Sequence, residues 1–186
     1  MRRCIALFLV IFMLCGCSKS DTNVNKGIAV RSLFMREAGV SFVADITADY
    51  GDATHEFSVK CDAAPTGDVA FTIVKPDTIC GITGKITAAG GQLQFADKLL
   101  LFEPMVFGQI SPVLAPWLTV KAIQGGYIRS QSQDQDGCQL MIEDTYRDVQ
   151  LEVILTLNRE NIPVCSEIIW SNRRILTVKI TQFDKV

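Results

Sequence analysis

The chain has 186 residues, 18 basic against 20 acidic side chains, a single histidine, seven cysteines and 48% hydrophobic residues. That length suits one domain with a proper core. A net charge of −2 argues against a nucleic-acid partner, and one histidine excludes any site built on two imidazoles. The first element is an export signal. Arg2 and Arg3 precede an apolar run, Cys4 to Cys15, that is too short to span a bilayer as a helix.

The end of that run, Leu14-Cys15-Gly16-Cys17, resembles the lipobox of bacterial lipoproteins. The resemblance implies cleavage after Gly16, diacylglycerol on the Cys17 thiol and Cys17 as the mature N-terminus. Residues 1–16 are then a signal peptide and 17–27, polar and without periodicity, a lipid-anchored tether. Residues 28–186 form one domain. Loss of Arg2 and Arg3 leaves 16 basic against 20 acidic residues, a body of −4, which its lipid and not its surface charge must hold at a membrane. The expected location is the extracytoplasmic face of the cell membrane, or the outer membrane where the host has one.

Residues 22–38 carry only a weak helical pattern, Val30, Leu33 and Phe34, ended by Gly39. Period-2 alternation then begins. Val40, Phe42, Ala44, Ile46, Ala48 and Tyr50 share one face, and Phe57, Val59 and Cys61 another. Further strands are predicted at 68–75, 79–88, 91–95 and 98–103. After the helix described next come 126–132, 138–144, an alternating run of Val149, Leu151, Val153, Leu155 and Leu157, then 162–171 and 173–183. Turn chemistry separates them, as at Gly51-Asp52, Pro65-Thr66-Gly67 and Gly90-Gly91, so an antiparallel meander of about eleven strands is expected.

The helix spans 111–126. Ser111 suits an N-cap, Pro112 the first helical position and Gly125-Gly126 the stop. Val113, Leu114, Trp117, Leu118, Val120 and Ile123 make it apolar nearly all round, so it is buried on more than one side, packed on the concave face of a curved sheet. Leu114, Trp117 and Leu118 are candidate ligand-binding residues for an apolar ligand. The same residues could equally plug the sheet as core.

A lipobox, about eleven strands and an apolar helix after the sixth resemble the LolA/LolB lipoprotein-carrier superfamily over roughly residues 38–184. That resemblance implies a mostly β, unclosed antiparallel half-barrel with the helix on its concave face and an acyl or lipoprotein-type ligand. Lys75-Pro-Asp-Thr-Ile-Cys-Gly-Ile-Thr-Gly84, Gly91-Gln-Leu-Gln-Phe95 and Ile110-Ser-Pro-Val113 are similar to the LolA-like germination lipoproteins of spore-forming clostridia. This narrower likeness implies an accessory role beside a spore-cortex amidase, a cell-wall enzyme.

Catalytic chemistry is not assembled, and no cofactor or metal is expected. There is no GxSxG elbow, and Glu143 and Asp144 point to opposite faces of their strand. His55 is expected at a solvent edge. The run Ser132 to Glu143 carries acidic residues at some positions of a calcium loop, but its flanks read as strands and a hairpin tip accounts for it. Cys61, Cys80, Cys138 and Cys165 could form up to two disulfides, in three possible pairings. Strand parity instead buries Cys61, Cys80 and Cys138 on apolar faces and leaves Cys165 the most exposed.

Overall fold

The structure, a computed structural model, describes residues 22–102, 105–106, 109–133 and 137–185. The signal peptide, Cys17 and the first half of the tether lie outside the described residues, as do Asp134 and Asp136.

Six strands, β1 (Val40–Asp49), β2 (Thr54–Ala63), β3 (Val69–Lys75), β4 (Thr83–Thr87), β5 (Gly90–Phe95) and β6 (Lys98–Phe102), run outward as a meander. A short hairpin of β7 (Met105–Val106) and β8 (Gln109–Ile110) follows, then a 3₁₀ turn at Pro112–Leu114 and a helix at Ala115–Gly125. The helix at Ala115–Gly125 is called α2, because α1 (Thr22–Phe34) precedes the sheet. Five more strands, β9 (Tyr127–Gln133), β10 (Gly137–Tyr146), β11 (Val149–Asn158), β12 (Pro163–Trp170) and β13 (Arg173–Lys185), run back inward.

All but β7 and β8 form one eleven-stranded antiparallel sheet in the order β6-β5-β4-β3-β2-β1-β13-β12-β11-β10-β9. It is the open sheet expected, and it is not closed. Its order dictates the place of α2. The chain leaves the sheet at one edge, β6, and re-enters at the other, β9, so the connection must travel from edge to edge. An apolar helix laid across the concave face makes that crossing while covering the apolar faces of the strands. Accordingly α2 packs against β2 and β3 on one side and β10, β12 and β13 on the other.

The alternation read in β1 is realised in burial. Ala44, Ile46 and Ala48 are solvent-free and face Val59, Phe57 and His55 across β2, and Ile180, Val178 and Leu176 across β13. On β11 Leu151, Val153, Leu155 and Leu157 form the same kind of inner face.

Three details differ from expectation. Helix α1 starts at Thr22, inside the segment given to the tether, and Gly27 is buried so tightly that a Cβ there would meet Ile128 Cδ1 at 2.4 Å. Its composition gives little helical signal. Packing of Val30, Leu33 and Phe34 into the core, a tertiary contribution, holds it. The strand predicted from residue 79 begins only at Thr83, because Gly81 takes φ +85° and the main chain turns there, its N–H bonding the Ile73 carbonyl. Cys80 therefore lies exposed in a loop, not on the inner face with Ile86. Finally, Ser111 makes no side-chain cap; its carbonyl accepts from Leu114 N–H and closes the 3₁₀ turn.

Cys61 and Cys138 follow their parity and are buried, whereas Cys165 is half-buried, so Cys80 and not Cys165 is the most exposed of the four. Cys61 lies on β2, Cys138 on β10 and Cys165 on β12, so at least one strand separates any two of them in the sheet order. That is a lateral gap of about 9–10 Å or more, beyond the Cα separation a disulfide spans.

Candidate binding site on the concave face

The 3₁₀ turn and α2 place the three candidate residues differently. Leu114 and Leu118 are fully buried in the core beneath the helix, as the plug reading has it. Trp117, also largely buried, reaches an opening of about 260 Å³. Thr66, Gly67 and Ala88 form one side of that opening, and Lys121 and Gln124 of α2 the other. The indole and the Tyr146 ring pack in a T-shaped contact, their centroids 5.5 Å apart and their planes at 74°.

The apolar helix is fastened by polar groups at its C-terminal half. Gln124 Nε2 lies 3.1, 3.3 and 3.4 Å from the carbonyls of Phe34, Ala64 and Pro65, tying α2 to the end of α1 and to the β2–β3 loop. Arg31 of α1 donates to the carbonyls of Ile123 (2.9 Å) and Gly126 (2.6 Å), satisfying acceptors that a helix end leaves orphaned and placing a cation at its negative pole. Lys121 Nζ sits 2.5 and 2.6 Å from the two Asp144 oxygens and donates to the Thr145 carbonyl. Among the described residues one polar pair lies under the helix: the Thr119 hydroxyl donates to the Ala115 carbonyl and lies 3.0 Å from Ser166 Oγ. The interior surface is therefore otherwise apolar, and the rim carries the polar ties.

No family model matches the chain, and no curated protein matches it. Solved structures do. A LolA superfamily protein from Nitrosomonas europaea is 10% identical over 86% of this chain and 93% of its own, with a TM-score of 0.46. A putative outer membrane lipoprotein-sorting protein domain from Vibrio parahaemolyticus is 6% identical over 86% and 90%, TM-score 0.49. The Mycobacterium tuberculosis lipoprotein LppX is 9% identical over 88% and 93%, TM-score 0.39. The likeness is one of fold.

The remaining candidates are dispersed. His55 is exposed at the start of β2, its ring 6.3 Å from that of Tyr50. Glu143 pairs with Arg129 at 2.9 Å on one face of β10, and Asp144 with Lys121 on the other, so the two carboxylates diverge as expected. Ser132 pairs with Gln139 across the β9–β10 hairpin while Glu143 lies opposite Tyr127, further along the same ladder; the calcium-loop spacing is a hairpin. Among the described residues no three His, Cys, Asp or Glu side chains gather as a metal site.

Two surfaces were not singled out by the sequence reading. One is a groove of about 590 Å³ where β10, β11 and β12 meet, lined by Ile169 with Arg129, Glu143, Asp148 and Glu152, and by Trp170, which also packs against the core. The other is β6, whose Leu99, Leu100 and Leu101 are 63%, 62% and 71% exposed. Its signal was present: three consecutive leucines do not alternate.

Proposed function

We propose that this protein is a lipid-anchored, extracytoplasmic binding protein without catalysis of its own, and that it takes an apolar ligand of acyl type beneath α2. Cys17 is the anchor. The observation that carries the reading is the way α2 is held: a helix apolar on nearly every side lies across an unclosed sheet and is fastened mainly at its rim, by its own Lys121 and Gln124 and by Arg31 of α1. The opening at Trp117, about 260 Å³, is smaller than the roughly 300–1,000 Å³ of typical ligand pockets. Binding a whole chain therefore requires α2 to shift, and Leu114 and Leu118 line the space it vacates. The resemblance to lipoprotein carriers supports the same ligand class and an envelope location.

The test uses the chain from residue 18, which contains every described element. Protein purified from cells should release fatty acid or phospholipid on denaturation, detected by mass spectrometry. Added long-chain fatty acid should shift the emission of Trp117, read in a Trp170→Phe background. A lipid-free protein whose Trp117 emission ignores fatty acid would overturn the ligand reading. For the anchor, the full-length Cys17→Ala chain should leave the membrane fraction, and continued retention counts against lipidation.

A second reading, an accessory role beside a cell-wall amidase in sporulation or germination, is favoured by the groove at β10, β11 and β12. Ile169 and the edge of Trp170 set among Arg129, Glu143, Asp148 and Glu152 have the make-up of a protein interface, an apolar centre with a charged rim. Capture of such an amidase by the wild-type chain, lost on Ile169→Lys with an unchanged circular dichroism spectrum, supports this reading; equal capture by both chains refutes the groove as its seat.

A further inference from the structure

The two edges of the sheet are unlike. On β9 the exposed side chains are mostly polar, Arg129, Ser130, Ser132 and Gln133, and α1 approaches Ile128 closely. Such an edge is blunted against pairing. On β6 Lys98 is the only charge, and Leu99, Leu100 and Leu101 follow in a row. The register assigns them to both faces. Leu100 lies opposite Leu93 and Phe102 opposite Gly91, in line with buried Ile86 on the concave side, whereas Leu99 and Leu101 lie opposite Gln94 and Gln92 on the convex side. Phe95, 57% exposed, adds to the concave strip.

A strand that is apolar on both faces offers apolar side chains to a lateral neighbour on each face. A helix or a membrane surface would meet the leucines of one face alone, whereas a strand paired at the edge sets side chains beside those of both faces. What β6 lacks is a further strand with apolar residues on both faces, and among the described residues no strand pairs with its outer edge.

We propose that this strand is β6 of a second copy of the chain, paired antiparallel about a two-fold axis through Leu100, so that two sheets become one. In that register Leu99 opposes Leu101 of the second copy, Leu100 opposes its counterpart, and Lys98 opposes Phe102. Apolar meets apolar on both faces, and the two lysines fall at opposite ends of the ladder, where they do not repel. The interface is isologous and closes, so it gives a dimer and not a fibre. Burying four partly exposed apolar side chains at about 100 Å² each gives about 800 Å² over both copies. This is the low end for a specific contact, so the dimer is weak and concentration-dependent.

Sedimentation velocity of the chain from residue 18, between about 1 and about 200 µM, reads the outcome. The wild type should move from monomer mass toward twice that mass across the range. Leu100→Lys should remain monomeric, with Leu100→Gln as the milder variant if the lysine alters the circular dichroism spectrum. In a Cys80→Ser background, Leu100→Cys should form a covalent dimer on oxidation, because directly opposed strand residues lie within disulfide reach. A wild type that stays monomeric throughout overturns the proposal, including the case in which it binds vesicles or a partner protein through β6. A dimer that survives Leu100→Lys and Leu100→Gln overturns it as well, since its interface lies elsewhere.

Discussion

Tyr50 closes the end of β1 against the crossover. Its hydroxyl donates to the Ile110 carbonyl, sixty residues away in sequence, and Ile110 itself is solvent-free. Burial pushes its phenol up to about 12, from an ordinary value of 10.0. The sign follows from which state holds the proton. Below pH 10 both states are neutral and the preference is fully present. Between about pH 10 and 12 the unfolded chain ionises while the folded one does not, so stability falls as pH rises through that window. Alkaline titration followed by ultraviolet absorbance should show a late phenol in the wild type that Tyr50→Phe removes. The variant should also lose less of its stability between pH 10 and 12; an unchanged alkaline loss would mean that Tyr50 does not carry this effect. Cysteines at the same scale show what residue parity can and cannot reveal. Cys61 and Cys138 sit on inner faces as their neighbours require, and burial drives the Cys61 thiol upward, with Asp62 adding to it. Cys80 escapes the rule because parity holds only once a strand has begun, and Gly81 delays β4 by several residues.

Helix α2 was legible as an element because an apolar run bounded by Pro and Gly has few alternatives. Its fastenings were not. Arg31 and Gln124 reach partners up to 95 residues away, and nothing local marks either as anything but a solvated polar side chain. The same blindness covers α1, whose sequence lacks amphipathic character and whose register is set by Gly27 against Ile128. The energetics differ between core and rim. Leu118→Ala removes a fully buried side chain and should cost about 2–5 kcal/mol. Gln124→Ala removes a donor shared by three carbonyls and should cost about 1–3 kcal/mol, less where water reaches them. Urea unfolding separates the two. If α2 is a lid, Gln124→Ala should also speed fatty-acid uptake while Leu118→Ala leaves the rim ties intact. Equal uptake rates in wild type and Gln124→Ala would show that the rim does not govern access.

The molecule as a whole is organised around a seam. β1, the first strand, and β13, the last, lie side by side at the middle of the sheet, paired from Val40 with Lys185 to Ala48 with Leu176. That pairing cannot form until nearly the whole chain is present and a long loop has closed, which makes the fold slow to assemble. It also places the best-buried backbone at the centre, because Ala44, Ile46, Leu176 and Val178 are flanked by strands on both sides, with the 3₁₀ turn packed on β1 and α2 on β13. The edges are the reverse: β6 has one paired side and exposed leucines, and β9 one paired side and polar ones. Protection from hydrogen exchange should follow this gradient. Amides of β1 and β13 should exchange only through global unfolding, and those on the outer edges of β6 and β9 through local opening. Concentration adds a discriminating term. In a dilute sample β6 and β9 should exchange comparably fast, whereas at high concentration β6 should slow and β9 should not, because only β6 gains a neighbouring strand. Equal slowing of both edges would point to non-specific association, and a fast-exchanging β1–β13 seam would contradict the central pairing on which the fold depends.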